Sequence, residues 1–114
     1  MRRLVWLLAL FPLAAGAGGW ERLDGPGIET ALRSRAVQYP DGRVQDFLAD
    51  GRTLMWTGQS AAGLWRVEAG QCCLLWPPET DWDCHVVDRS ENGLDLRFTG
   101  PSGAVRIGRY TDLN

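Results

Sequence analysis

The 114-residue sequence has no lysine, a single histidine, three cysteines and no apolar run as long as a membrane-spanning helix. Each scarcity excludes something. Basic residues that are all arginine read as the mark of GC-rich coding, because no physical demand asks for a guanidinium at every basic position. A formal net charge of −2 gives no reason to expect a nucleic-acid partner. One His beside the adjacent Cys72 and Cys73 supplies at most part of a zinc ligand set, and there is no Cys-x-x-Cys redox pair. P-loop, His-Glu-x-x-His and Gly-x-Ser-x-Gly patterns are also missing. A length near that of one domain excludes a multidomain enzyme. No cofactor and no metal site are expected.

At the N-terminus, Arg2 and Arg3 precede the apolar run Leu4 to Leu13, which is shorter than the roughly 20 residues a spanning helix needs. Ala15 and Ala17 then stand at the −3 and −1 positions of a small-x-small cleavage site. This pattern predicts a secretory signal peptide over residues 1–17 and a single domain over 18–114. Cleavage would remove Arg2 and Arg3, leaving ten basic residues against 14 acidic ones, a net charge of −4. No Cys follows the cleavage region to take a lipid, and the acidic balance argues against adhesion to an anionic membrane. The expectation is a periplasmic or secreted protein without a stable membrane anchor.

In an oxidising compartment thiols tend to pair. Gln71 to Trp76 and Asp81 to Val87 read as two strands around the turn Pro77 to Thr80. If Trp76 stands opposite Asp81, antiparallel pairing sets Cys73 against Cys84, and Cys72 against His85 on the other face. A one-residue shift in register would bring Cys72 to Cys84 instead, so both pairings stay open.

Elsewhere, Asp24 to Arg33 begins with turn residues and places Ile28, Ala31 and Leu32 at helical spacing, which predicts one short helix. From Ala36 onward short apolar stretches alternate with polar residues, and Gly, Asp, Asn or Pro punctuates them about every ten residues. Candidate strands are 36–39, 43–49, 53–57, 63–68, 72–76, 81–87, 94–98 and 104–110. Such short connections leave no room for crossover helices, so the sheet must be antiparallel. Leu94, Leu96 and Phe98 share one face, as do Trp65 and Val67, and these faces form the core. Trp20, Trp56, Trp65, Trp76 and Trp82 offer large apolar areas to such a core. The fold class is mainly β: an antiparallel meander closing into a small barrel, with one N-terminal helix plugging an end or lying outside.

The segments Asp50-Gly51-Arg52-Thr53-Leu54, Gly63-Leu64-Trp65-Arg66-Val67-Glu68, Cys73 with Trp76-Pro77-Pro78, Trp82-Asp83-Cys84 and Gly108-Arg109-Tyr110 resemble a group of small exported proteobacterial proteins. These are periplasmic domains of unknown function with a lipocalin-like or small β-barrel build. The resemblance covers nearly the whole mature chain. It implies a fold and a compartment, and it carries over no catalytic residue.

Two chemistries compete for the remaining residues. Trp76, Pro77, Pro78 and Trp82 set a rigid turn between two aromatic side chains, a surface suited to a small ligand or to another envelope protein. The alternative is a small periplasmic enzyme using Cys72 with His85, or Asp83 with His85. The sequence favours binding over catalysis, because no third group is seen to orient His85.

Overall fold

The computed structural model describes residues 19–112, so the leader expected over residues 1–17 lies outside the described residues. Strand β1 (Trp20–Arg22) and helix α1 (Gly25–Leu32) come first, followed by β2 (Arg35–Gln38), β3 (Val44–Phe47), β4 (Arg52–Trp56) and β5 (Ser60–Glu68). The chain ends with β6 (Gln71–Leu75), β7 (Asp83–Ser90), β8 (Asp95–Thr99) and β9 (Val105–Tyr110). Each strand from β2 to β9 pairs antiparallel with the next, and β9 returns to β2, so eight strands close a barrel. All eight strands read from alternation and turn residues are present. The additional β1, three residues long, occupies the edge of β7 beyond the end of its pairing with β6, through Trp20↔Ser90 and Arg22↔Asp88.

The helix forms where its caps demand. Asp24 accepts a hydrogen bond from the Gly27 backbone N–H at 2.8 Å, and Pro26 sits in the first turn, where a missing N–H costs nothing. Ser34, at φ 63°, turns the chain out of the helix and into β2. Ile28, Ala31 and Leu32 are buried against β2, β5 and β6, so the helix closes one end of the barrel. The Tyr110 hydroxyl donates to the Ala31 carbonyl at 2.7 Å and joins the last strand to this plug.

The core is aromatic and aliphatic, and of the described tryptophans only Trp65 belongs to it, with Trp76 packed against its edge. Phe47 stacks with Phe98 and meets Trp65 edge-on at 5.5 Å, with Ile28, Leu32 and Leu96 around them. Trp65 is buried and donates its indole N–H to the Leu48 carbonyl. Trp56 lies outside at 46% exposure, with its N–H on Asp46. Trp20 is held on the outer wall beneath Arg97, at 4.6 Å. Beside it the buried Asp88 carboxylate accepts from both Arg22 and Arg97, fastening β1 to the barrel.

Cys73 stands opposite Cys84 and is bonded to it, while Cys72 pairs with His85 and stays free. The register drawn through Trp76 and Asp81 therefore holds, and the one-residue alternative is excluded.

Two stability tests follow. The β5–β6 hairpin turns through Ala69 (φ 53°) and Gly70 (φ 75°), the two left-handed positions of a type I′ turn, where Asn is tolerated better than Ala. Ala69→Asn is expected to stabilise the fold by about 1 kcal/mol, raising Tm by roughly 4–8 °C for a domain of this size. Thermal unfolding checks it, and an unchanged or lower Tm would refute the strain. Near the β2–β9 seam, Arg35 holds the Asp112 carboxyl, and Arg109 the Asp95 carboxyl, below the ordinary carboxylate range through hydrogen bonds. With folded values below unfolded ones, their contribution is complete above the ordinary range and is lost as pH falls through the folded values. Acid unfolding of Asp112→Asn should therefore start from a lower neutral-pH stability and show a shallower loss than wild type.

Candidate functional site

Strand direction places four connections at the end of the barrel away from α1: 39–43, 57–59, 76–82 and 100–104. Inward-facing side chains follow from the buried rows, since alternate residues of a strand share a face. Cys72 and Leu74 face the interior, and Trp76 continues that row to the open end. On β7 the row of Val87 and His85 ends at Asp83, and on β9 the row of Tyr110 and Gly108 continues to Arg106. The mouth therefore gathers Trp76, His85, Asp83 and Arg106 from three strands, joined by Arg43, Met55 and Tyr39 from β2 to β4.

Two pockets open there and share Arg106. The larger, about 490 Å³, is walled by Phe98, Pro101 and Val105, with Asp83, His85 and Ser102 as its polar side chains. The other, about 420 Å³, is lined by Arg43, Met55, Ala61, Trp76 and Pro77. Below them the barrel is filled: Phe47, Phe98, Leu96 and Val37 are fully buried in one continuous core.

Trp76 is held rigidly at this mouth. Its ring lies over Gly63, where an added Cβ would stand 2.7 Å from the ring and 2.5 Å from the Leu75 carbonyl oxygen. Only the absence of a side chain at position 63 lets the indole lie flat on β5. Trp82 points the other way. It shares the outer face with Cys84 and lies beneath the Arg66 guanidinium at 4.0 Å. Pro77 lines the smaller pocket, and Pro78 is exposed on the turn. The four residues of the Pro-rich turn thus do not form one surface: Trp76 and Pro77 belong to the mouth, whereas Trp82 and its Arg66 partner belong to the outer wall above the disulfide.

Burial deprives the catalytic candidates of what their chemistry needs. Cys72 is fully buried, and desolvation pushes its thiol up to about 12, so a thiolate is scarce at neutral pH. His85 Nε2 lies 3.6 Å from an Asp83 carboxylate oxygen, beyond hydrogen-bond range, and its Nδ1 is buried with no partner. Ser102 lines the same pocket as this pair, yet its hydroxyl accepts from the Ala104 N–H, and no bond links it to His85 among the described residues. No cluster of three or more His, Cys, Asp or Glu able to hold a metal ion occurs among the described residues.

Three residues of this site carry no motif that would mark them in advance. Arg106 faces inward opposite Phe98, its guanidinium 4.6 Å from the centre of the Tyr39 ring. Tyr39 is buried and donates its hydroxyl to Gln45, whose amide donates to Thr53. Burial raises the Tyr39 phenol above its ordinary range, so it stays a neutral donor. Met55 forms part of the floor of the smaller pocket.

No family model, no curated protein and no solved structure matches this chain.

The geometry makes Cys72 a packing residue. In the folded protein, alkylation by iodoacetamide at mildly alkaline pH should proceed no faster than unfolding allows, and one thiol should react promptly in denaturant. Labelling of the native protein at the rate of a free thiol in solution would restore the nucleophile reading.

Proposed function

We propose that this chain is an exported, lipocalin-like small β-barrel that binds a small ligand at its open end and does no chemistry on it. The observation that carries the reading is the asymmetry of the barrel. One end is stopped by α1 with its apolar face fully buried, whereas the other leaves two adjoining pockets between rigid aromatic and polar walls. Mostly apolar concavities of a few hundred Å³ with a few convergent polar groups are the usual form of a ligand site. The leader pattern and the Cys73–Cys84 disulfide support export to an oxidising compartment. Against catalysis stand the protonated, buried Cys72 and a His85 without a hydrogen-bonded partner among the described residues.

A second reading, a partner protein of the cell envelope, draws on the outer wall. There Trp56 and Leu64 are exposed at 46% and 43%, and the register Leu54↔Ala62 places two further apolar side chains between them.

The two readings separate in one titration. Phenylnaphthylamine, a neutral apolar probe, should bind saturably with one site and quench the fluorescence of Trp76. Ala61→Trp combined with Ala104→Trp, which fills both lobes of the mouth, should abolish that binding and leave the circular dichroism of the barrel unchanged. Saturable binding that survives the filled mouth would place the ligand elsewhere, and absence of binding would leave the outer wall as the functional surface.

A further inference from the structure

We propose, resting on the reading that the mouth binds a ligand, that this ligand is an amphiphilic monocarboxylate whose headgroup is held by Arg106. Ion pairing is nearly complete among the described arginines. Arg22, Arg33, Arg35, Arg43 and Arg52 each have a carboxylate within ion-pair distance, and so do Arg66, Arg89, Arg97 and Arg109. Arg106 alone among the described arginines has none, and its guanidinium donates no hydrogen bond to any described residue. It is also the arginine that both pockets share.

A guanidinium presents five N–H donors in a planar fork matched to a carboxylate. Turning such a group into a half-buried mouth without an acceptor sacrifices solvation, and the face of the Tyr39 ring replaces only part of it. An arriving anion supplies what is missing. His85 lines the larger pocket as well, from β7, two strands away from Arg106. The carboxylate already present there, Asp83, is 64% exposed at the rim, and no ion pair joins it to Arg106 among the described residues.

Arg106 offers one guanidinium, which a single carboxylate matches in charge and shape. Arg43, the other cation of the mouth, is engaged by Asp41 at 2.8 Å. A dianion would be disfavoured by Asp83, whose carboxylate lines the larger pocket. Around the guanidinium the walls are apolar, with Phe98, Pro101 and Val105 on one side and Met55, Trp76 and Pro77 on the other. They receive the hydrocarbon or aromatic body that a carboxylate headgroup carries.

Calorimetric titration of the purified protein with octanoate, octanol and octylammonium tests this. Octanoate should bind about tenfold more tightly than octanol, and octylammonium the most weakly. Arg106→Gln should lose about tenfold in octanoate affinity while its octanol affinity holds, and Arg106→Lys should recover part of the loss. Arg52→Gln, at the exposed start of β4, should behave as wild type. If Arg106→Gln does not fold, the wild-type ranking and Arg106→Lys decide alone. Equal affinity for octanoate and octanol, octanoate binding indifferent to Arg106, or a preference for octylammonium would overturn the carboxylate assignment and leave the mouth-binding reading standing. No heat with any of the three, together with no phenylnaphthylamine binding, would overturn both.

Discussion

Closing eight short strands into a barrel requires the last strand to meet the first, and here that seam is narrow. It consists of two residue pairs, Val37↔Tyr110 and Gln38↔Arg109. The approach is possible because position 108 is glycine: a Cβ there would stand 3.0 Å from the Tyr39 ring and 3.2 Å from the Val37 side chain. Much else hangs on this contact. Tyr110 reaches the helix only from a closed seam, and Arg35 then lies over the Tyr110 ring at 3.8 Å while pairing with Asp112. The same packing presses Tyr39 inward, where its ring supports Arg106. A larger side chain at position 108 would loosen the plug and the mouth together.

Between those two ends the interior changes character. Near α1 it is apolar, with Ile28, Leu32, Phe47 and Leu96 excluding water. Toward the mouth a buried polar chain appears, Tyr39 to Gln45 to Thr53, which ends on the Asp46 carbonyl. Each member is satisfied, so the chain orients the ring beneath Arg106 without leaving an orphaned group. Arg106 lies beyond it at the opening, half-buried and without a carboxylate partner among the described residues.

How far this could be read in advance differs by feature. The strands were legible because turn residues punctuate them at regular intervals, and Gly-containing hairpins leave little freedom in where alternation begins. The disulfide was legible for the same reason, since the turn before Asp81 sets the register. β1 was not, because three residues have no period. Trp76 and Trp82 flank one turn, yet the register that joins Cys73 to Cys84 sends them to opposite faces, and proximity in sequence concealed this. Arg106 was hidden more deeply. In Val105-Arg106-Ile107-Gly108 the apolar residues suggest that 105 and 107 face the core, whereas both are exposed, at 55% and 39%. Tyr110 and Gly108 decide the face: the phenol must reach the helix, and only glycine fits under Tyr39.

That inversion explains why the open end is polar at all. A strand whose apolar residues faced inward would have turned the Val105 and Ile107 side chains into the barrel and placed the guanidinium on the outer wall in water, where it would need no partner. The demands of the seam at Gly108 and Tyr110 instead rotate the whole of β9, because side chains alternate with a period of two and no bulge intervenes before residue 105. Closure at one point of the strand therefore dictates the chemistry at its other end. Arg106 faces inward as a consequence of how the barrel shuts, and the stacking on Tyr39 makes that position tolerable without a counter-charge. A fold needing only closure could have placed a small neutral residue at position 106; an arginine there, with no carboxylate within ion-pair distance among the described residues, gives the open end a positive charge that the barrel itself does not use.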